Sequence, residues 1–412
     1  KSGDETVATG DKNGIITAKK TGEQVLITAT LGTKSASCTF TVGNEGVIYQ
    51  SEEKLGYCGW PTVAKIYDDK LISVWSLRQT HRDPYGKVVG TISEDNGVTW
   101  SEPFTIIDTV LDDRDAGVIF WKNKVIVSTV SVAKSIYLNS GNQEWIDYTN
   151  AITDEQETEA LGCNYVIGEM VNGELTFGAI KKAPSFTPHG MIQLANGDLG
   201  YVGYDGYDRE NGITKSKIVF CSSADGETWS KVSDVFGANE FLADQLNEPN
   251  AIVLENGKMI VTVRSESNGI YLAESNDGVT FSNKRVLLPA AITTPPHLMQ
   301  MTDGTLVLSY GYRSAPYNIR AIVSKDNGES WSNEIELTSG GVDWDFGYPA
   351  TIERGNGELL TVYYQKLSAD KKNTALKEVI WTIPENLTYG DKAAVTYDVT
   401  SAACALRSDA KA

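Results

Sequence analysis

A chain of 412 residues with 36 Lys and Arg against 54 Asp and Glu carries a net charge of −18. So acidic a chain argues against nucleic acid as its partner, because cationic contacts to phosphate dominate that binding. No apolar run approaches the ~18 residues a membrane-spanning helix needs, and 9% aromatics with 38 glycines suit an all-β fold with many turns.

Residues 1–44 alternate apolar and polar side chains in short runs, from Gly14-Ile-Ile-Thr-Ala18 to Cys38-Thr-Phe-Thr-Val42. The D-x-x-G-x-[IV]-T-A opening at Asp11 and the closing C-T-F-T-V strand resemble the second half of a bacterial immunoglobulin-like domain of group 2. That resemblance implies a spacer module on an exported protein, secreted, periplasmic or at the cell surface. No leader is visible at Lys1, so the chain begins after one or has none. Five cysteines (Cys38, Cys58, Cys163, Cys221, Cys404) lack zinc-type spacing, and their odd number leaves at least one unpaired within the chain.

From residue 45 a hairpin recurs. Asn247–Arg264 is an apolar run, an Asn-Gly turn that supplies two positive-φ positions, and a second apolar run. Counted from the second turn residue, hairpins turn at Asp69, Asn123, Gly197, Gly257, Gly304 and Gly357, at intervals of 54, 74, 60, 47 and 53 residues. Periods near ~50 residues mark four-stranded blades. The expectation is a six-bladed β-propeller over 45–390, with the Ig-like fragment before it and a tail, 391–412, after it. Ring closure needs a strand from one end, either Gly46–Gln50 or the tail.

Ser93-Glu-Asp-Asn-Gly-Val-Thr-Trp100 and Ser324-Lys-Asp-Asn-Gly-Glu-Ser-Trp331 fit the Asp-box S-x-D-x-G-x-T-W, and Cys221–Trp229 and Glu274–Phe281 are looser copies. Their chemistry is local: carboxylate and amide side chains bond turn backbone and glycine takes positive φ. They speak for fold and little for function. The long second interval places an insertion at Ala133–Cys163, with Trp145, Tyr148 and an acidic, helix-compatible stretch at Asp154–Leu161. It reads either as a substrate wall or as a solvated decoration.

Innermost propeller strands begin at one mouth of the channel. The residue nine before each turn origin samples that ring: Trp60, Arg114, Pro188, Glu248, Pro295 and Tyr348. One position on come Pro61, Asp115, His189, Pro249, Pro296 and Pro349, with His297 a further step along and His81 in the loop leaving blade one. Arg, Glu, Tyr, Asp and His converging there read as a polar site.

From about Gly46 to Leu387 the chain resembles the sialidase superfamily. Glu248 and Arg264 stand in N-E-x-x-x-x-x-L-x-x-G-x-x-x-x-x-x-R, and Tyr348 in Gly347-Tyr-Pro-Ala-Thr-Ile352. The resemblance implies Tyr348 as nucleophile, Glu248 as its base and Asp83 as acid/base, though Asp83 reads equally as a plain loop carboxylate. It implies Arg78, Arg264 and Arg313 around the ligand, Arg320 being the alternative to Arg313. Arg114, Trp60, His81, His189 and His297 are further candidates for substrate contact. Three histidines also leave a zinc site conceivable, although the expectation is no metal and no cofactor. One departure is plain: Gly59 of Cys58-Gly-Trp-Pro61 stands where the family's [FY]-R-I-P motif has a carboxylate-binding arginine. A planar guanidinium grips a carboxylate through bidentate bonds. Its loss removes about 1.5–3 kcal/mol of interaction. The function implied is an exported retaining glycosidase that removes a terminal sugar, sialic acid or another. The alternative is a catalytically silent carbohydrate-binding propeller.

Overall fold

The computed structural model describes residues 2–6, 8–10, 16–18, 24–31, 34–41 and 45–390 apart from 68, 173, 206, 209–211, 214–216, 238–239, 241–245, 267–268, 290–292 and 386, together with 397–398. Ahead of residue 45 it holds two antiparallel hairpins, Ala8–Gly10 with Ile16–Ala18 and Gln24–Leu31 with Lys34–Thr41. These are strands where the Ig-like fragment was expected.

From residue 45 six sheets of four or five strands, each with an antiparallel meander at its centre, form the blades of a propeller. Their innermost strands are Tyr57–Tyr67, Asp112–Trp121, Ile192–Gln193, Leu246–Val253, His297–Gln300 and Phe346–Gly355. Strand Glu45–Tyr49 closes the ring by pairing with Thr374–Thr382 as the outer strand of blade six. Glu45 anchors it, accepting from Lys377 at 2.7 Å and from the Tyr363 hydroxyl at 2.9 Å. Of the tail, Tyr397–Asp398 pairs in parallel with Ile335–Glu336 of blade five; the rest of the tail, Cys404 included, lies outside the described residues.

Apolar side chains are buried between neighbouring blades. Ile72, Val74 and Val88 of blade one meet Ala116, Val118 and Val127 of blade two. Leu298, Leu306 and Leu308 of blade five meet Ile260 and Leu272 of blade four. The Asp-boxes sit between third and fourth strands, as in Ser93–Trp100, where Asp95 Oδ1 accepts from the Val98 and Thr99 amides and Gly97 takes φ 82°. Cys58, Cys163 and Cys221 are buried free thiols.

The insertion in blade two folds into three helices: α1 (Ser135–Leu138), α2 (Gln143–Ala151) and α3 (Asp154–Ala160). Asn142 caps α2, and Thr153 with Gln156 forms a capping box on α3. Tyr137 of α1 is buried in the apolar layer that also holds Val130, Phe186 and Phe236. Glu144 of α2 reaches Lys54 and Tyr85, beside blade one. The insertion is therefore packed onto the propeller.

Candidate active site

Four blades carry a β-bulge near the start of the innermost strand, between Gly59 and Thr62, Arg114 and Gly117, Asn247 and Pro249, and Gly347 and Ala350. One residue of each has positive φ: Trp60 56°, Asp115 52°, Glu248 48° and Tyr348 50°. A left-handed conformation costs an L-residue about 1–2 kcal/mol. A bulge re-aims the side chain it carries, and strain of this kind gathers at functional sites. Here it brings four side chains to one mouth.

The count along blade two needs correction: Asp115, not Arg114, holds the ring position. The hairpin of blade two turns on Lys122 and Asn123 alone, so Trp121 pairs with Lys124. In blade four the turn spans one residue more, since Val253 pairs with Met259 and the Leu254 amide bonds to the Lys258 carbonyl. Blades one and six also have two-residue turns, but a second bulge, at Lys65–Tyr67 and Glu353–Gly355, restores the count. Blade two lacks that second bulge.

Glu248 joins blades four and six. The Tyr348 hydroxyl donates to its Oε1 at 2.6 Å, and Arg264 Nη1 donates to its Oε2 at 2.6 Å. The Glu248 amide donates to the Tyr204 hydroxyl at 2.6 Å and the Tyr348 amide to Thr294 Oγ1 at 3.2 Å, so both bulges are pinned. Burial and the Glu248 charge push the Tyr348 phenol well above its usual value, against the pull of Arg264 and Arg313. At rest Tyr348 is a neutral phenol whose proton points at a carboxylate. Burial pulls Arg264 down, but the Glu248 charge and hydrogen bond, with Tyr348 and Glu266, together hold it above its usual range. Asp115, half-buried, is raised to about 7 by loss of solvent and by the Glu248 charge, although Arg114 and Arg78 oppose the shift.

Asp83 and Arg78 do not stand at the mouth. The Asp83 side chain is wholly buried. Its Oδ2 accepts from the Gln79 and Thr80 amides at 3.0 and 2.9 Å and its Oδ1 from the Tyr85 amide at 3.0 Å. It is the anchor of its own loop. Arg78 is equally buried, paired with Asp112 at 2.5 Å and bonded to the Asp83 and Thr80 carbonyls, with its guanidinium 4.9 Å from the Trp60 ring. It supports Trp60 from beneath. Arg114 shares Asp112 at 2.5 Å and donates to the Tyr137 hydroxyl at 2.5 Å, so its charge is spent on the wall. Arg313 stacks near Tyr348, at 5.7 Å, and Trp344, at 5.6 Å. Arg320 turns away to Glu334 and Glu336.

Beside Gly59 stands Tyr57: a side chain at Gly59 would meet its Cε1 at 3.1 Å. The Tyr57 hydroxyl donates to Asp345 Oδ1 at 2.7 Å; His81 Nδ1 lies 2.9 Å from that oxygen and the Tyr364 hydroxyl 3.1 Å. The space next to the missing arginine thus holds a phenol backed by a carboxylate. Burial alone would raise Asp345, but the hydrogen bond and charge of His81, with Tyr57 and Lys366, hold it below the usual range. Tyr57, Trp344, Asp345 and Tyr364 escaped the sequence reading. The one signal for two of them was their place just ahead of Gly347-Tyr348, in the loop feeding the same bulge.

His189 and His297 are one layer deeper than expected. They line the central channel, a cavity of about 410 Å³ whose walls include Thr62, Asn250 and Thr351 but none of the four bulge residues. Their rings meet edge to face at 5.1 Å. Burial pushes His189 down to about 3 and, with help from His189, sends His297 well below the imidazole range, so both are neutral. Among the described residues no three His, Cys, Asp or Glu side chains cluster as metal ligands. No helix there is long and apolar enough to cross a membrane.

Residues 169–361 match the family model of the BNR repeat-like domain. No curated protein matches the sequence. Among solved structures, a protein of unknown function from Dyadobacter fermentans superposes with TM-score 0.65 at 19% identity, over 82% of this chain and 98% of that one. A sialidase from Streptococcus pneumoniae superposes with TM-score 0.60 at 14% identity, over 84% of this chain and 71% of that one. For a Trypanosoma rangeli sialidase the values are 0.55 and 15%, over 79% of this chain and 55% of that enzyme, so the match spans about half of its length. At such identities the likeness is one of fold: a BNR-type propeller built like those of sialidases.

Proposed function

We propose that this chain is a retaining glycoside hydrolase that removes a terminal sugar, with Tyr348 as nucleophile and Glu248 as its base. One observation carries the reading: the Tyr348 hydroxyl donates to Glu248 Oε1 at 2.6 Å while Arg264 holds the other carboxylate oxygen at 2.6 Å. A phenol is a weak nucleophile near neutral pH unless a base takes its proton as the new bond forms. As the Tyr348 oxygen bonds to the anomeric carbon, the glycosidic bond breaks, the aglycone oxygen leaves with a proton, and the phenol proton passes to Glu248. Water then displaces the Tyr348 oxygen from that carbon and Glu248 returns its proton to the phenolate. Sialidases are the glycosidases known to use a tyrosine in this way. An exported enzyme facing extracellular glycans suits the Ig-like resemblance of residues 1–44.

The substrate read most directly from the mouth is a sugar without a carboxylate. An anionic sugar needs a cationic clamp. Arg264 is already paired with Glu248, and Arg313 is the other arginine near Tyr348. The Tyr57 ring occupies the ground beside Gly59, and its hydroxyl donates to the Asp345 carboxylate behind it. A charge of the same sign there opposes a sialic acid.

The test is turnover of a panel of aryl glycosides, neutral sugars and sialic acid together. Tyr348→Phe is expected to lower kcat by on the order of 10³-fold or more on whichever sugar is cleaved. Full activity in Tyr348→Phe overturns the nucleophile. No turnover anywhere, with glycan binding intact in wild type and variant, makes the protein a binding module.

A further inference from the structure

A retaining glycosidase needs a proton donor at the departing oxygen, and Asp83, buried and bonded to its own loop, is not placed to serve. Its bonds to Gln79, Thr80 and Tyr85 instead fix the turn that carries His81. Resting on the glycosidase reading above, we propose that His81, oriented by Asp345, is the general acid and base at the leaving-group oxygen.

The geometry supplies the three requirements of such a group. First, orientation: Nδ1 lies 2.9 Å from Asp345 Oδ1, so the Nδ1 proton faces the carboxylate and Nε2 is left for substrate. Asp345 is itself held by the hydroxyls of Tyr57 and Tyr364, with Lys366 4.0 Å from its other oxygen. Second, access: the His81 side chain is 32% exposed whereas that of Asp345 is 6% exposed. Third, position across the opening from the nucleophile. Tyr348 lies 6.3 Å from Trp60, Trp60 5.4 Å from His81, and His81 5.5 Å from Trp344. The Arg313 guanidinium closes the rim, 5.6 Å from Trp344 and 5.7 Å from Tyr348. His81 and Tyr348 are not neighbours on this rim, so a sugar seated in it is flanked by the two. Exposed Trp344 offers an aromatic face for its C–H surface.

In the first step the Nε2 proton of imidazolium passes to the glycosidic oxygen as its bond to the anomeric carbon breaks. The Tyr348 oxygen takes that carbon and the phenol proton goes to Glu248. In the second, neutral Nε2 removes a proton from water whose oxygen bonds to the anomeric carbon. The Tyr348–carbon bond breaks, and Glu248 returns its proton to the phenolate. Asp345 is a positioning residue that stabilises the imidazolium.

The test compares two leaving groups in wild type, His81→Ala and Asp345→Asn, using a nitrophenyl and a methyl glycoside of whichever sugar is cleaved. Both variants are expected to keep kcat/KM on the nitrophenyl glycoside, whose leaving group needs little protonation. On the methyl glycoside they are expected to lose about 10²–10⁴-fold. On the nitrophenyl glycoside His81→Ala is expected to lose kcat through its slowed second step while keeping kcat/KM, and added azide, which attacks without a base, to restore kcat and give a glycosyl azide of retained configuration. Equal losses on both leaving groups without azide rescue overturn the assignment of His81. That outcome, with Tyr348→Phe inactive, leaves the glycosidase reading standing. Activity in Tyr348→Phe instead removes the reading itself.

Discussion

Glu248 stands between a phenol and a guanidinium, each 2.6 Å away, in a backbone conformation few non-glycine residues adopt. Burial, with the Glu248 charge beside it, holds the Tyr348 phenol well above its usual value, against the pull of Arg264. The same charge acts on Asp115, raised to about 7 by burial and by Glu248. A carboxyl raised in the fold contributes stability that is fully present below its unfolded value near ~3.9 and is lost as pH rises through the folded value. Asp115→Asn is therefore expected to unfold at a higher temperature than wild type at pH 8, with the gain shrinking at pH 5. Thermal unfolding at the two pH values checks this, and a gain independent of pH contradicts it. Glu248, Arg264 and Tyr348 were legible in the sequence because their motifs lie within single hairpins, where spacing fixes position. Asp83 was not: spacing alone cannot tell a carboxylate aimed at a ligand from one that accepts amides of its own loop. His81, two residues before it, is half-buried and reaches Asp345 instead.

At the scale of elements, the bulges do the positioning and the Asp-boxes tie the loops. Asp225 Oδ1 accepts from the Glu227 and Thr228 amides at 2.8 and 2.7 Å and from Ser223 Oγ at 3.0 Å. The amides of Thr228 and Glu227, then Ser223, hold its carboxyl far below the usual range. The stabilisation from a depressed carboxylate is fully present above the unfolded value near ~3.9 and fades as pH falls toward the folded one. Asp225→Asn is expected to melt below wild type at pH 7, with the difference narrowing below about pH 4 as the unfolded wild-type chain takes up the proton that the fold excludes. A constant difference from pH 7 to pH 2.5 contradicts the account. The boxes and hairpins were readable because Asn, Asp and Gly are dictated by local backbone. A bulge leaves no comparable residue signature. That is why counting back from a turn put Glu248 and Tyr348 on the ring but set Asp115 one position beyond it, where the turn is shorter and no second bulge compensates. The insertion showed the same limit: its helical stretches could be read, but the bonds of Tyr137 to Asp112 and Arg114 are tertiary.

For the whole molecule, the hairpin period gave the blade count, and the closing strand at Glu45–Tyr49 is one of the two options composition left open. The mouth gathers its groups from blades far apart in sequence: Tyr57, Trp60 and His81 from blade one, Glu248 and Arg264 from blade four, Arg313 from blade five, Tyr348 and Tyr364 from blade six, with Asp345 just ahead of it. The departure at Gly59 becomes a physical statement there, since Tyr57 and Asp345 replace a cation with a phenol and a carboxylate. The central claim is a covalent bond between a sugar and Tyr348. It is tested by incubating the protein with activated fluoro-glycosides, neutral 2-deoxy-2-fluoro sugars and a difluoro sialic acid, and weighing its peptides. The expected result is one glycosyl mass added to the peptide bearing Tyr348, from a neutral sugar and absent in Tyr348→Phe. Turnover of the parent glycoside with inversion, or a label on any other residue, would contradict it.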